Sequence, residues 1–277
     1  RGLGDVYKRQ GEYIAACVSG IFSLEDALML CLKRAELFAK TPEGGMLTVI
    51  GEEAEIQTLL NQETEISAVN APSRLTVSGT AKGIATLKET LEHHKIAYVE
   101  MPMKRGGHYF GVECICDAFR QCLATVRFQQ PQITMRSTYM TGTQQPNFTD
   151  AEYWVAQTRN RVDFKGAIAE IDKEQKCLFF EIGLTSNLDK KIKKIRKKNK
   201  HTTVLSMFGD AENKSTAAQM METIGHIWCS GNSIQTAAFS EQQECQKVSL
   251  PTYAWDTEYC YQKLRKVQRY ETETEKE

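Results

Sequence analysis

Glu65-Ile66-Ser67-Ala68-Val69-Asn70-Ala71-Pro72-Ser73-Arg74-Leu75-Thr76-Val77-Ser78 is the stretch from which the fold is best read. Glu65–Val69 and Arg74–Ser78 alternate as strands do, and Asn70-Ala71-Pro72-Ser73 between them is a turn signal. Ahead of this hairpin, Met46–Ile50 is a short apolar, β-branched run, and Glu52–Leu60 has helical spacing through Ile56, Leu59 and Leu60. After it, Ala81–Lys95 is helical, with Ile84, Leu87 and Leu91 on one face, and Ile96–Glu100 is again a strand. The succession β-α-β-β-α-β predicts a ferredoxin-like small subdomain over residues 46–104.

The flanks read differently. Residues 12–19 have apolar positions at helical spacing, and Gly20 interrupts them. Ser23-Leu24-Glu25-Asp26 opens a second helix, with Ser23 as N-cap. Leu28, Cys31, Leu32, Ala35 and Leu37-Phe38 are its expected buried face, and Pro42-Glu43-Gly44-Gly45 ends it. Beyond the hairpin unit, Val112–Val126, Asp150–Thr158, Asp163–Asp172, Asn187–Lys198 and Ser215–Trp228 read as helices. Gln132–Tyr139, Cys177–Ile182 and Thr202–Met207 read as strands, the second of them buried. Strands alternating with helices predict an α/β domain with a largely parallel sheet over residues 11–45 and 105–228. Residues 229–261 read as a linker and 262–277 as a charged tail. Residues 1–10 do not continue the downstream pattern and are expected to be a non-native segment.

Composition narrows the function classes. Positive and negative side chains balance at 35 each, so no global field favours nucleic acid or an anionic membrane. No apolar run approaches the ~20 residues of a membrane helix. No targeting segment is visible, which predicts the cytoplasm, with an organelle left open. The nine cysteines are odd in number and form no Cys-x-x-Cys pair, so reduced thiols are expected and no metal site.

The chain from Gly11 to Leu28 looks like the second half of a nucleophile elbow running into its helix. In Gly-x-Ser-x-Gly the serine stands two residues before the last glycine, a position held here by Arg9. Gly11-Glu12-Tyr13-Ile14-Ala15-Ala16 resembles Gly-His-Ser-x-Gly-Glu-Tyr-x-Ala-Ala with its first half lost. Phe22–Leu28, Ala68–Pro72, Val77-Ser78-Gly79, Tyr153-Trp154-Val155, Val162-Asp163-Phe164, Phe180–Gly183 and Leu250–Trp255 follow in register with one family. The chain thus resembles the acyltransferase domain of polyketide synthases and animal-type fatty acid synthases, akin to malonyl-CoA:acyl carrier protein transacylase.

The resemblance implies a partial α/β-hydrolase-like large subdomain with a parallel sheet, the ferredoxin-like insert, and a linker that follows the domain. It implies transfer of a malonyl-type group from coenzyme A to the phosphopantetheine thiol of an acyl carrier protein, through a serine ester. The domain would bind no cofactor of its own, and neighbouring synthase domains would be its partners. His108, in Arg105-Gly106-Gly107-His108, aligns with the general base. Arg34 aligns with the arginine that grips the free carboxylate, the alternative being a surface arginine paired with Glu36. Arg105 and Gly107 stand three and one before the histidine, where the family sorts acyl groups; Gly107 would admit a larger one. With Arg9 in place of the serine, the chain as written is expected to be inactive, and a non-catalytic remnant that binds a carrier protein or scaffolds a synthase is the rival. For such docking the cationic face carrying Lys193, Lys194 and Lys197 is the candidate, with a solvated face as the plain alternative.

Overall fold

The structure, a computed structural model, describes residues 6–142, 146–171, 178–183, 188–196, 203–207, 215–235 and 248–255. Side chains are described from Gly11 onward. The charged tail and Lys197 lie outside these residues.

The first helix, α1, runs Val6–Val18, so it starts within the segment set aside on sequence and carries position 9 inside a helix. Gly20, at φ 80°, makes the left-handed turn that reverses the chain. The second helix, α2, covers Leu24–Phe38, and the Ser23 side chain accepts the Asp26 N–H at its start. Its buried face is not the expected one. Ala27, Leu30 and Arg34 are buried, whereas Leu24, Leu28 and Leu32 are 59%, 63% and 60% exposed. The helix carries two apolar stripes, and contacts with α1 and with the later helix Cys116–Leu123 select one of them.

The next strands and helices are β1 (Gly44–Ile50), α3 (Glu53–Leu59), β2 (Thr64–Ala71), β3 (Arg74–Thr80), α4 (Ala81–His93) and β4 (Tyr98–Glu100). They form an antiparallel sheet in the order β4-β1-β3-β2. Leu47, Val49, Ile66 and Val77 pack with Ile56 of α3 and Ile84, Leu87 and Leu91 of α4. Thr80 caps α4 by accepting the Gly83 N–H, which fixes the strand-to-helix junction.

Beyond β4 come a 3-10 turn (Phe110–Ile115), α5 (Cys116–Leu123), α6 (Ala151–Arg159), β5 (Val162–Asp163) and α7 (Phe164–Ile171). Then follow β6 (Leu178–Glu181), α8 (Asp189–Ile195), β7 (Thr203–Ser206) and α9 (Thr216–Cys229). β5 adds to β2 in parallel, Ala68 opposite Val162. This makes the five-stranded sheet mixed, and β2 is buried on almost every residue because α7 and α8 pack against it as well. β6 and β7 form a separate parallel pair. The largely parallel sheet of the expectation is therefore, among the described residues, one two-stranded ladder plus the β2–β5 contact.

Two further expectations are corrected. β6 is half-buried rather than buried, with Phe180 and Ile182 exposed. Residues 132–139 form no strand. Their backbone is satisfied elsewhere: Gln132 N–H donates to Ser19 O, Tyr139 and Met140 N–H to Ser137 Oγ, and Thr138 O accepts from Asp163 N–H.

Two cores result. Tyr13, Phe22, Leu30, Phe119 and Trp154 gather α1, α2, α5 and α6, and the aliphatic cluster above fills the sheet. The chain divides into two units, residues 1–232 and 233–277. In the second, the described residues are irregular, and the rings of Tyr253 and Trp255 pack edge to face.

Candidate active site

α1 and α2 bring the first side chains to the site. Glu12 is buried, and its carboxylate accepts the Tyr153 hydroxyl, Gln157 Nε2 at 3.1 Å and Thr138 Oγ1 at 3.1 Å. Ser137 Oγ stands 2.6 Å from Tyr153 Oη and completes the cluster. Three neutral donors on a carboxylate hold α1 against α6, which fixes where its neighbour Tyr13 lies.

Arg34, on the buried face of α2, is only 6% exposed. Its guanidinium lies over the rings of Tyr13 and Phe38, and Nε has no hydrogen-bond partner. Glu36 is engaged by Lys33 at 2.9 Å instead, so the pairing of Arg34 with Glu36 is not what the structure has. Burial pushes the Tyr13 hydroxyl and the Cys31 thiol up, and the Arg34 charge opposes both shifts.

The loop that leaves β4 supplies the histidine. Gly106 lets it wrap the fully buried Tyr109 ring, since a Cβ there would fall 2.7 Å from Tyr109 Cε1. His108 follows at φ 58°, a left-handed conformation that L side chains seldom adopt, and is 8% exposed. Such backbone strain persists where the surroundings over-determine it, which is common at functional sites.

His108, Arg34, Arg105 and Gly107 line one cavity of about 350 Å³, with Cys31, Ala35, Phe38, Ala39, Met46, Met103 and Gly106. The fold thus gathers four of the residues singled out on sequence. His108 also lines a second, more polar cavity of about 600 Å³ with Asn61, Gln62, Glu65 and Arg159, so it stands between two chambers. A buried cation facing an apolar hollow suits a small carboxylate with a carbon skeleton, and a histidine beside it can move a proton. Among the described residues, no group of three or more His, Cys, Asp or Glu could hold a metal ion. No helix among them is long and apolar enough to cross a membrane.

Lys193 and Lys194 do not line this cavity. They are exposed on α8, whose Ile192 is buried, and Lys193 pairs with Asp189 at 2.9 Å. The Glu181 carboxylate accepts the Leu188 N–H at 3.0 Å and the Asp189 N–H at 3.3 Å, which anchors the start of α8 to β6. Cys31 is the lining residue that motif reasoning passed over. Its spacing of three from Arg34 on one helix was the available signal.

Residues 9–228 match the family model for the acyl transferase domain. Among curated proteins the chain is similar to the phenolphthiocerol synthesis polyketide synthase type I Pks15/1 of Mycobacterium marinum, 27% identical over 88% of the chain and 12% of that protein. It is also similar to the non-reducing polyketide synthase tpeB of Talaromyces stipitatus, 30% identical over 89% of the chain and 12% of that protein. The chain therefore spans about an eighth of the length of these relatives. The acyltransferase domain from the second module of the salinomycin polyketide synthase matches at 25% identity and a TM-score of 0.79, covering 88% of the chain and 58% of that structure. The acyl transferase domain of ZmaA matches at 26% and 0.78, covering 87% and 57%.

Proposed function

The chain belongs to the acyl transferase domain family, and from that premise we propose that its site handles a malonyl-type acyl group within a polyketide or fatty acid synthase. The donor is an acyl-CoA thioester, the acceptor the phosphopantetheine thiol of an acyl carrier protein, and no cofactor belongs to the domain itself. The observation that carries this reading is the meeting of His108 and Arg34 on one cavity, although they come from separate parts of the chain. Arg34 takes the free carboxylate in a two-point grip. His108 removes the proton from the attacking group and returns it to the leaving thiol. The βαββαβ succession and its β4-β1-β3-β2 order support reading residues 46–104 as a ferredoxin-like subdomain that delivers His108.

With Arg9 at the serine position, the serine-ester route is closed in the chain as written. The test restores it with Tyr7→Gly, Lys8→His and Arg9→Ser and measures malonyl loading from malonyl-CoA. Loading that vanishes with His108→Ala supports the reading. Absence of loading, or loading undiminished in His108→Ala, overturns it.

A second reading makes the chain a carrier-protein-binding remnant. The exposed Lys190, Lys193 and Lys194 of α8 favour it, because carrier proteins are acidic. It requires carrier-protein binding that weakens in Lys193→Glu/Lys194→Glu and survives in His108→Ala.

A further inference from the structure

Apart from His108, the described residues of the cavity wall include one nucleophilic side chain, Cys31. It sits three residues before Arg34 on α2, so the two side chains share a face, with Cβ atoms about 5–6 Å apart in such pairs. We propose that Cys31 is an acyl acceptor, taking a malonyl-type group from coenzyme A as a protein-bound thioester. The inference rests on the reading of the cavity as an acyl-thioester site.

Arg34 is the independent sign that a ligand belongs there. It is more than nine-tenths buried, opens onto the cavity, and its Nε has no partner. A buried guanidinium left so is costly unless an anion completes it. A malonyl carboxylate held by Arg34 has its acyl carbonyl two bonds away, within the cavity that Cys31 also lines. Phe38, Met46 and Met103 make much of the remaining lining apolar, and Arg105 adds a second cation to it.

The step balances without an outside reactant. Cys31 Sγ attacks the thioester carbonyl carbon and forms a new S–C bond. The bond from that carbon to the coenzyme A sulfur breaks, and its electron pair leaves with the sulfur. The Cys31 proton passes through His108 to the departing sulfur, giving free coenzyme A. One thioester replaces another, so the group can leave again to a second thiol by the same route. Burial pushes the Cys31 thiol up, with Arg34 opposing, and His108 lines the same cavity as the base for the attack.

Other cysteines of the chain serve as internal controls. Cys114 and Cys229 are exposed, and Cys17, Cys116 and Cys122 do not line the cavity. The experiment incubates the full chain with radiolabelled malonyl-CoA or acetyl-CoA, maps the label by peptide mass spectrometry, and tests release by neutral hydroxylamine, which cleaves thioesters. Binding is measured alongside by calorimetry. The expected result is hydroxylamine-labile malonyl on Cys31, formed at least about tenfold faster than on Cys114 or Cys229, since a charged hydrogen bond gives that much preference. The Cys31→Ser and Cys31→Ala variants, with unchanged melting, lose it. The Arg34→Met variant slows malonyl capture about tenfold and leaves acetyl capture within about twofold. Label spread evenly over exposed cysteines overturns the proposal. So does malonyl-CoA that binds without labelling Cys31, and that outcome leaves the acyl-thioester reading of the cavity standing. Absence of any binding removes that reading and this proposal together.

Discussion

The guanidinium carbon of Arg34 stands 4.9 Å from the centre of the Phe38 ring, one turn along the same helix. The Tyr13 ring centre lies 5.9 Å from the same carbon. Ring faces stabilise a buried cation partly, by about 0.5–2 kcal/mol, and leave its N–H groups to be completed by an anion. On the proposed reading, the charge is kept for a ligand's carboxylate and does not brace the fold.

That arrangement predicts opposite signs for stability and binding. Arg34→Met is expected to leave the urea midpoint unchanged or to raise stability by about 1 kcal/mol, because it removes a buried charge that the fold does not complete. It is expected to weaken malonyl-CoA binding by about 1.5–3 kcal/mol in calorimetry and to spare acetyl-CoA. A large loss of stability with unchanged malonyl-CoA affinity would make Arg34 a structural residue.

His108 at φ 58° predicts an ordering of two variants. Both His108→Gly and His108→Ala lose the imidazole, but only alanine keeps a Cβ in the left-handed region. Glycine should therefore be more stable than alanine by about 1 kcal/mol, read from urea midpoints at equal slope. Neither should transfer an acyl group in the serine-restored protein. An alanine variant as stable as the glycine one would show that the strain is absent in solution.

Neighbouring glycines should behave unlike each other. A methyl at Gly106 meets the Tyr109 ring at 2.7 Å, and that ring is fully buried, so Gly106→Ala should cost about 1–3 kcal/mol by overpacking. At Gly107 the nearest atom is Phe38 Cε1 at 3.9 Å, and Gly107→Ala should stay within about 0.5 kcal/mol of the parent. Gly107→Phe, which fills that space, should cut affinity for a propyl-branched malonyl-CoA about tenfold relative to malonyl-CoA, the scale of a methylene-sized discrimination. Equal losses for both acyl groups would place the branch elsewhere.

Glu12 accepts from Tyr153, Gln157 and Thr138, so exchanging one oxygen for an NH2 turns a donor toward donors. Glu12→Gln should lower stability by about 1–3 kcal/mol. Tyr153→Phe should cost a similar amount, and the double variant less than the sum, because the two share one bond. Strict additivity in urea unfolding would show that the bond contributes nothing.

Local chemistry was legible. The hairpin turn, the cap at Ser23, and the helical faces of α4 and α8 depend on neighbours within a few residues, and each stands in the structure. His108 and Arg34 were named from a motif resemblance, since nothing in their own neighbourhoods distinguishes them. Residues 132–139 misled because an alternating pattern says that a segment suits a strand and not that a strand edge is there to receive it.

The sequence by itself determined most of the helices and strands, with their caps and turns, and the residue types present, because periods of two and 3.6 and side-chain capping act over short range. Tertiary structure alone decided which of two apolar stripes of α2 is buried, that β5 joins β2, and that Cys31, Arg34 and His108 line one cavity. Those choices come from contacts between elements far apart in the chain: Tyr13, Leu30 and Trp154 draw α1, α2 and α6 into one core, and Ala68, Val162 and Phe164 hold β5 beside β2. Burial energy there rewards the assembly as a whole, and no single segment carries that information.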